Sequence, residues 1–150
     1  MERANAWELL REYNKDHFHL QHALTVEAVM RWYANELGYG DEADFWATVG
    51  LLHDLDWEEH EDDPMNHTIY AAEILEGEGA SPELIRAIQT HTSDFNTSLP
   101  KPELQMEKIL FACDELTGLI GAAVVMRPSK SVMDFTTKSL KKKFKDKRFA

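Results

Sequence analysis

The chain has 150 residues, with 16 Lys and Arg against 27 Asp and Glu, a formal net charge of −11 and 43% apolar residues. That length accommodates one hydrophobic core, and the apolar content excludes global disorder. A single cysteine, Cys113, excludes a disulfide framework and a multi-cysteine zinc site, and fits a reducing, cytoplasmic setting. The opening Met-Glu-Arg-Ala-Asn-Ala-Trp-Glu is amphipathic and lacks the apolar run of a signal peptide. Helical spacing of apolar residues then runs along the chain, with no strand-like alternation. Residues 6–14 predict a helix with Trp7, Leu10 and Tyr13 on one side. Residues 20–37 predict a second, carrying Leu20, Leu24, Val26, Val29, Met30 and Tyr33 and stopped by Gly38 and Gly40. A third spans 41–55, with Asp41 as its cap and Phe45, Val49 and Leu52 at helical spacing.

Residues 56–66 are acidic, contain Pro64 and predict a loop. A fourth helix covers 67–75, with Asn66 as a cap, and is stopped by Gly77 and Gly79. Ser81-Pro82-Glu83 places a Ser cap before a Pro at the first helical position, starting a fifth helix that runs to residue 92. Residues 93–102 hold two prolines and predict a loop. The longest helix covers 103–126, with Ile109, Leu110, Leu116, Leu119, Ile120 and Val124 apolar, and Arg127-Pro128-Ser129 breaks it. Its stretch 109–126 is the most apolar in the chain, but Asp114 and Glu115 within it are costly in a bilayer, so it predicts a buried helix and no membrane partner. From residue 131 a last helix becomes strongly basic. The expected class is all-α, one domain over residues 1–150 of about seven helices.

Charge is divided unevenly. Residues 1–129 carry 8 basic and 25 acidic side chains, and residues 130–150 carry 8 basic and 2 acidic. The acidic body argues against nucleic acid as a partner, since duplex DNA is held through many cationic contacts. The tail suits phosphate, RNA or the acidic body itself, or is simply a solvated face.

The histidines carry the chemistry. His53-Asp54 follows the apolar run Val49-Gly50-Leu51-Leu52, and a helix apolar all round is buried. Placing His and Asp there is costly unless they are paired or ligate an ion. His22 stands in the second helix, His67 opens the fourth, His91 ends the fifth, and Asp114 lies inside the most apolar helix. A buried unpaired Asp114 costs several kcal/mol, roughly, or is forced neutral. A metal resolves that cost, and imidazole with carboxylate suits zinc, iron, manganese, cobalt or nickel. Among neighbouring histidines His22 is preferred, because it sits within a regular helix; His19 is expected before that helix and exposed. His60, amid Glu58, Glu59, Glu61, Asp62 and Asp63, reads as solvated loop, Cys113 as a small buried residue, and the tryptophans as core.

The order His22, His53-Asp54, Asp114 resembles the HD-domain superfamily of metal-dependent phosphohydrolases, over roughly residues 20–121. The pieces that carry the resemblance are Leu51-Leu52-His53-Asp54-Leu55-Asp56, then His67-Thr68-Ile69-Tyr70-Ala71-Ala72-Glu73-Ile74-Leu75, then Ala112-Cys113-Asp114-Glu115-Leu116-Thr117-Gly118. With Arg127-Pro128-Ser129-Lys130-Ser131 and Lys142-Lys143-Phe144-Lys145-Asp146-Lys147 the chain also resembles bacterial HDIG-type proteins of unassigned substrate, whose chains commonly continue past this point. The resemblance implies a metal site of His22, His53, Asp54 and Asp114. It also implies that His67 and His91 hold a second ion, with Asp54 between the two, giving one or two divalent transition metals. Leu55-Asp56 replaces the Ile-Gly of the HDIG pattern, which makes Asp56 a candidate partner for a ligand histidine.

The expected activity is hydrolysis of a small phosphorylated metabolite or nucleotide by metal-activated water. Asp54, His67 and His91 are the catalytic candidates. His67 and His91 also suit phosphate contact, proton donation, or capping and dipole roles at their helix ends. Arg127 and Lys130 either bind a substrate phosphate or form surface salt bridges. Two further readings stay open, a di-iron HD-type oxygenase and a non-enzymatic ligand- or partner-binding domain, and oligomeric state is open as well.

Overall fold

Gly50 has no side chain in a helix that is otherwise buried on nearly every side, and the fold is arranged around that helix. In the computed structural model, which describes residues 1–149, the chain forms eight α-helices. They are α1 (Arg3–Tyr13), α2 (His17–Glu36), α3 (Ala43–Leu52), α4 (Trp57–His60), α5 (Ile69–Gly77), α6 (Pro82–Thr90), α7 (Gln105–Val125) and α8 (Thr137–Lys145). Seven of them have nine residues or more, α4 is a single turn, and the described residues include no strand. The fold is all-α.

The central helix α3 carries Trp46, Val49, Leu51 and Leu52 into the core. α1, α2 and α6 pack around it. A Cβ on Gly50 would lie 2.8 Å from the Val26 carbonyl oxygen and 2.9 Å from Met30 Cγ, so the glycine is what lets α2 close on α3. α7 also packs against α2. Buried side chains from α1, α2, α3, α5, α6 and α7 form one contiguous cluster.

Buried polar groups tie the helix ends together. Asn14 Nδ2 donates to the carbonyls of Leu10 at 3.3 Å and Leu55 at 2.9 Å, pinning the end of α1 to the turn after α3. Glu107 accepts from the backbone N–H groups of Glu103 and Leu104, capping α7, and also from Arg86 Nε. Ser81 Oγ accepts from Leu84 N with Pro82 at the first helical position, as the sequence predicts.

Several boundaries differ from expectation, each for a local reason. α2 starts at His17, where Asp16 accepts from Phe18 N, so His19 lies in its first turn and is not ahead of it. His19 is also not free: Nδ1 meets Glu58 Oε2 at 2.9 Å and Nε2 meets Glu61 Oε1 at 3.4 Å. Asp41 does not cap α3; it sits in a 3-10 turn, Gly40–Glu42. α3 ends at Leu52 because residues 53–56 fold into turns, Leu55 N donating to Leu52 O and Trp57 N to Asp54 O. The expected loop 56–66 contains α4 and a 3-10 turn, Pro64–Asn66. α5 starts at Ile69, and Asn66 turns its amide to Asp63 instead of capping it. α8 starts at Thr137, capped by Thr136 Oγ1.

α7 is buried along one side only. Leu116 is 40% exposed, Val125 55% and Met126 67%, so the most apolar stretch is not the fully buried helix its composition predicts. Among the described residues no helix is long and apolar enough to cross a membrane.

Candidate metal centre

Five parts of the fold meet at one point. α2 supplies His22, the turn after α3 supplies His53 and Asp54, and the residue before Thr68 and α5 supplies His67. The end of α6 supplies His91, and the middle of α7 supplies Asp114. These side chains form two adjoining groups. In the first, His22 Nε2 lies 3.2 Å from His53 Nε2, 3.0 Å from Asp114 Oδ1 and 3.6 Å from Asp54 Oδ2. His53 Nε2 lies 3.2 Å from Asp54 Oδ2 and 3.3 Å from Asp114 Oδ1. In the second, the other Asp54 oxygen, Oδ1, lies 3.1 Å from His67 Nε2 and 3.6 Å from His91 Nε2. Asp54 thus gives one oxygen to each group, and Asp114 Oδ2 approaches His91 Nε2 at 4.0 Å.

The outward nitrogen of three rings is already committed. His53 Nδ1 donates to the Gly50 carbonyl at 2.7 Å, His91 Nδ1 to the Ile88 carbonyl at 2.6 Å, and His67 Nδ1 to Asp56 Oδ1 at 2.8 Å. A neutral imidazole carries one N–H, so each Nε2 then presents a lone pair inward. Lone pairs facing carboxylate oxygens repel unless a proton or a cation stands between them. His91 Nε2 is buried and has no hydrogen-bond partner among the described residues. Donors about 2.0–2.2 Å from one ion stand roughly 3.0–3.5 Å apart, which the first group matches in every pair but His22–Asp54, at 3.6 Å. Ligand histidines that donate their other N–H to a carbonyl or carboxylate are the common arrangement at metal sites. The residues fit a metal, and each group offers its donors to a single ion.

The electrostatics point the same way. Burial opposes charge on the His53 imidazolium, but Asp54 and Asp114 outweigh it and hold its pKa well above the ordinary value. Burial likewise opposes charge on His67, yet Asp54 and Asp56 push its pKa up to about 9. Against burial, His53, His67 and His91 hold the Asp54 carboxyl well below the usual range, and His53 and His22 do the same for Asp114. Cation and carboxylate stabilise one another here, and a metal bound there would take the place of the protons.

A cleft of about 240 Å³ opens onto the centre. Asp54, His67, His91 and Asp114 form its floor, with Trp57, Thr92, Phe95 and Glu115 around them. The HD domain pattern matches residues 20–119, two thirds of the chain.

The chain belongs to the HD-domain family.

All six residues of the two groups lie inside that match. The HD-domain family consists mostly of metal-dependent phosphohydrolases. No curated protein and no solved structure matches the sequence.

Two expected substrate residues, Arg127 and Lys130, are not among the residues that line the HD-domain cleft. Arg127 lies past the end of α7, about 20 Å along the helix axis from Asp114. It donates to the Asp134 carbonyl at 3.2 Å, approaches the Asp134 carboxylate at 3.5 Å and covers the Phe135 ring. Lys130 is exposed, in a turn with φ of 48°. Of the two readings for Arg127, the structure shows the salt bridge. His60 stacks on Tyr70 with centroids 3.8 Å apart and is not part of the HD centre. Cys113 is buried. Trp46 is core, whereas Trp32 is 56% exposed and Trp57 lines the cleft, so the tryptophans divide between core, surface and site. Trp57, Phe95 and Glu115 were not legible as cleft residues. Only the position of Glu115 directly after Asp114 marks it.

Proposed function

We propose that this HD-domain chain is a metal-dependent phosphohydrolase acting on a small phosphorylated metabolite or nucleotide. The observation that carries the reading is the convergence of the Nε2 atoms of His22, His53, His67 and His91 on the Asp54 and Asp114 carboxylates, with the Nδ1 atoms of His53, His67 and His91 each committed to another acceptor. His22, His53 and Asp114 would hold one ion, His67 and His91 a second, and Asp54 both. A divalent transition metal bound there, whether iron, manganese, zinc, cobalt or nickel, supplies water of lowered pKa and a Lewis acid for phosphoryl oxygens.

The chain's own residues do the rest. Gly50 O and Ile88 O orient the rings of His53 and His91, so the donors are arranged before anything binds. Asp54 positions both halves of the site. If only the first group is filled, His67 and His91 face the cleft as a proton donor and a phosphate contact. Trp57 and Phe95 wall the cleft and restrict water around the reacting ester. In the reaction, water oxygen bonds to phosphorus, the ester P–O bond breaks, and the alcohol leaves carrying a proton. The cleft is small, which favours a small phosphorylated group over a polymer.

The test is elemental analysis of chain purified without a metal-affinity tag, followed by phosphate release from a panel of phosphomonoesters. Metal in the preparation and metal-dependent phosphate release are expected. Unaltered metal content and phosphate release in His53→Ala would overturn the reading. The shared Asp54 also suits the oxidative HD reaction. Substrate-dependent oxygen uptake by iron-loaded protein, with no phosphate released anaerobically, would select that instead.

A further inference from the structure

Glu115 belongs to two cavities. One is the His/Asp cleft, and the other is a groove of about 620 Å³ between α7 and the C-terminal segment. The groove is lined by Ala112, Leu116, Leu119 and Ala122 of α7, with Phe144 and Phe149 opposite. Phe144 is 75% exposed, so most of its ring is left uncovered by the protein. The cleft alone falls short of the roughly 300–1,000 Å³ of typical small-molecule sites, and the two cavities together fall within that range. No Lys or Arg lines the cleft, whereas Lys143 lines the groove, its Nζ 4.6 Å from the Phe149 ring centroid.

We propose that the groove is the second half of the substrate site, and that the substrate is a phosphomonoester with an extended apolar organic group. The phosphate sits at the His/Asp centre. The organic group passes Glu115 and lies along α7 against Leu116, Leu119 and Phe144. This rests on the phosphohydrolase reading and narrows its substrate class.

Gly118 provides the tool, because it lines the groove and a Cβ there meets nothing within 4 Å. Gly118→Leu therefore starts into open space, projects its side chain into the groove and removes a glycine from a helix interior. Leu116→Gln, at a half-exposed position, is a second variant that tests the same contact with less change of shape. Metal-loaded full chain is assayed for phosphate release from ethyl, butyl and hexyl phosphate. Each buried methylene is worth roughly a threefold to fourfold gain. The hexyl-to-ethyl ratio of kcat/KM is expected to reach about tenfold or more, and to fall towards one in both variants.

A ratio near one in the unaltered chain, or one that both variants keep, overturns the proposal. Calorimetric binding of ethylphosphonate and hexylphosphonate, which contain no ester to cleave, separates the two claims. If no phosphate ester is cleaved, the hydrolase reading falls. In that case, tighter binding of hexylphosphonate that Gly118→Leu abolishes upholds the groove, and equal binding of the two overturns it. If Gly118→Leu changes the oligomeric state while the hexyl-to-ethyl ratio stays high, the groove is an interface between copies and the proposal fails.

Discussion

One carboxylate, Asp56, holds both His67 and the helix that follows it. Its Oδ1 accepts from His67 Nδ1 at 2.8 Å, and its Oδ2 accepts from the backbone N–H groups of Thr68 at 2.8 Å and Ala71 at 3.2 Å. Asp56 thus caps α5 from eleven residues upstream of His67, and the cap and the metal-facing ring share a support. Thr68 is held at φ of 70°, a left-handed conformation costly for a β-branched residue, with Oγ1 bonded to Thr92 Oγ1.

Asp56→Ala therefore acts on both. It is expected to destabilise the chain by about 2–4 kcal/mol, from the lost cap and charge-assisted hydrogen bonds. Metal affinity at the His67–His91 group is expected to drop by roughly 10–100-fold. Urea denaturation and metal titration measure the two effects, and a variant that loses stability but keeps full metal affinity would sink the link.

Gly50 serves twice. Its missing side chain lets α2 approach, and its carbonyl fixes the His53 ring. Gly50→Ala places a methyl against backbone, so the helices must part, at a cost of about 1–3 kcal/mol. Thermal melting is expected to fall by roughly 3–10 °C. Since α2 carries His22, metal binding should weaken as well. A melting temperature equal to that of the unaltered chain would show that the helices accommodate the methyl.

His91 gives an opposite pair of outcomes. In chelator-treated protein, His91→Leu is expected to be close to neutral, within about 1 kcal/mol, because removing the partnerless buried Nε2 offsets the loss of the Nδ1 hydrogen bond to the Ile88 carbonyl. With metal present the same variant is expected to lose the stabilisation that metal confers through the second group. Melting curves with and without chelator test it. A large destabilisation in both conditions would mean that His91 is a packing residue.

Glu58 sets a pH dependence away from the centre. Both its oxygens accept from the backbone N–H groups of Lys15 and Asp16, and Oε2 meets His19 Nδ1 at 2.9 Å. Burial raises its pKa, but His19 and those two N–H groups together bring it below the ordinary value. A carboxyl depressed in the folded state contributes stability above its unfolded pKa and loses it as pH falls through the folded one. Glu58→Gln is expected to cost less than about 1 kcal/mol at pH 7, because the group is partly solvated. That deficit should shrink as pH falls below about 4. Denaturant midpoints from pH 3 to pH 7 decide it, and a deficit independent of pH would assign the effect to shape.

The helices and the order of the site residues were legible in the chain because both depend on local spacing. Gly38, Gly77 and Gly79 mark helix ends, Ser81-Pro82 a helix start, and His53-Asp54 stands out at the end of an apolar run. What was not legible is non-local. Nothing near Ile69 says that its helix is capped by Asp56, and nothing near Lys15 says that Glu58 reaches it. Thr68 carries no sign of a left-handed backbone, since β-branched residues disfavour it. The open face of α7 escaped for a different reason. Composition reports how apolar a helix is, not how many neighbours arrive to cover it.

The six donor side chains tie together segments up to 92 residues apart, from His22 to Asp114. An ion at their centre would act as a cross-link that every local opening of α2, α6 or α7 must first break. α8, which contributes no donor and no residue to the core cluster, carries no such restraint. Backbone hydrogen exchange should accordingly sort the helices into two populations, and only the donor-bearing one should slow when metal is added.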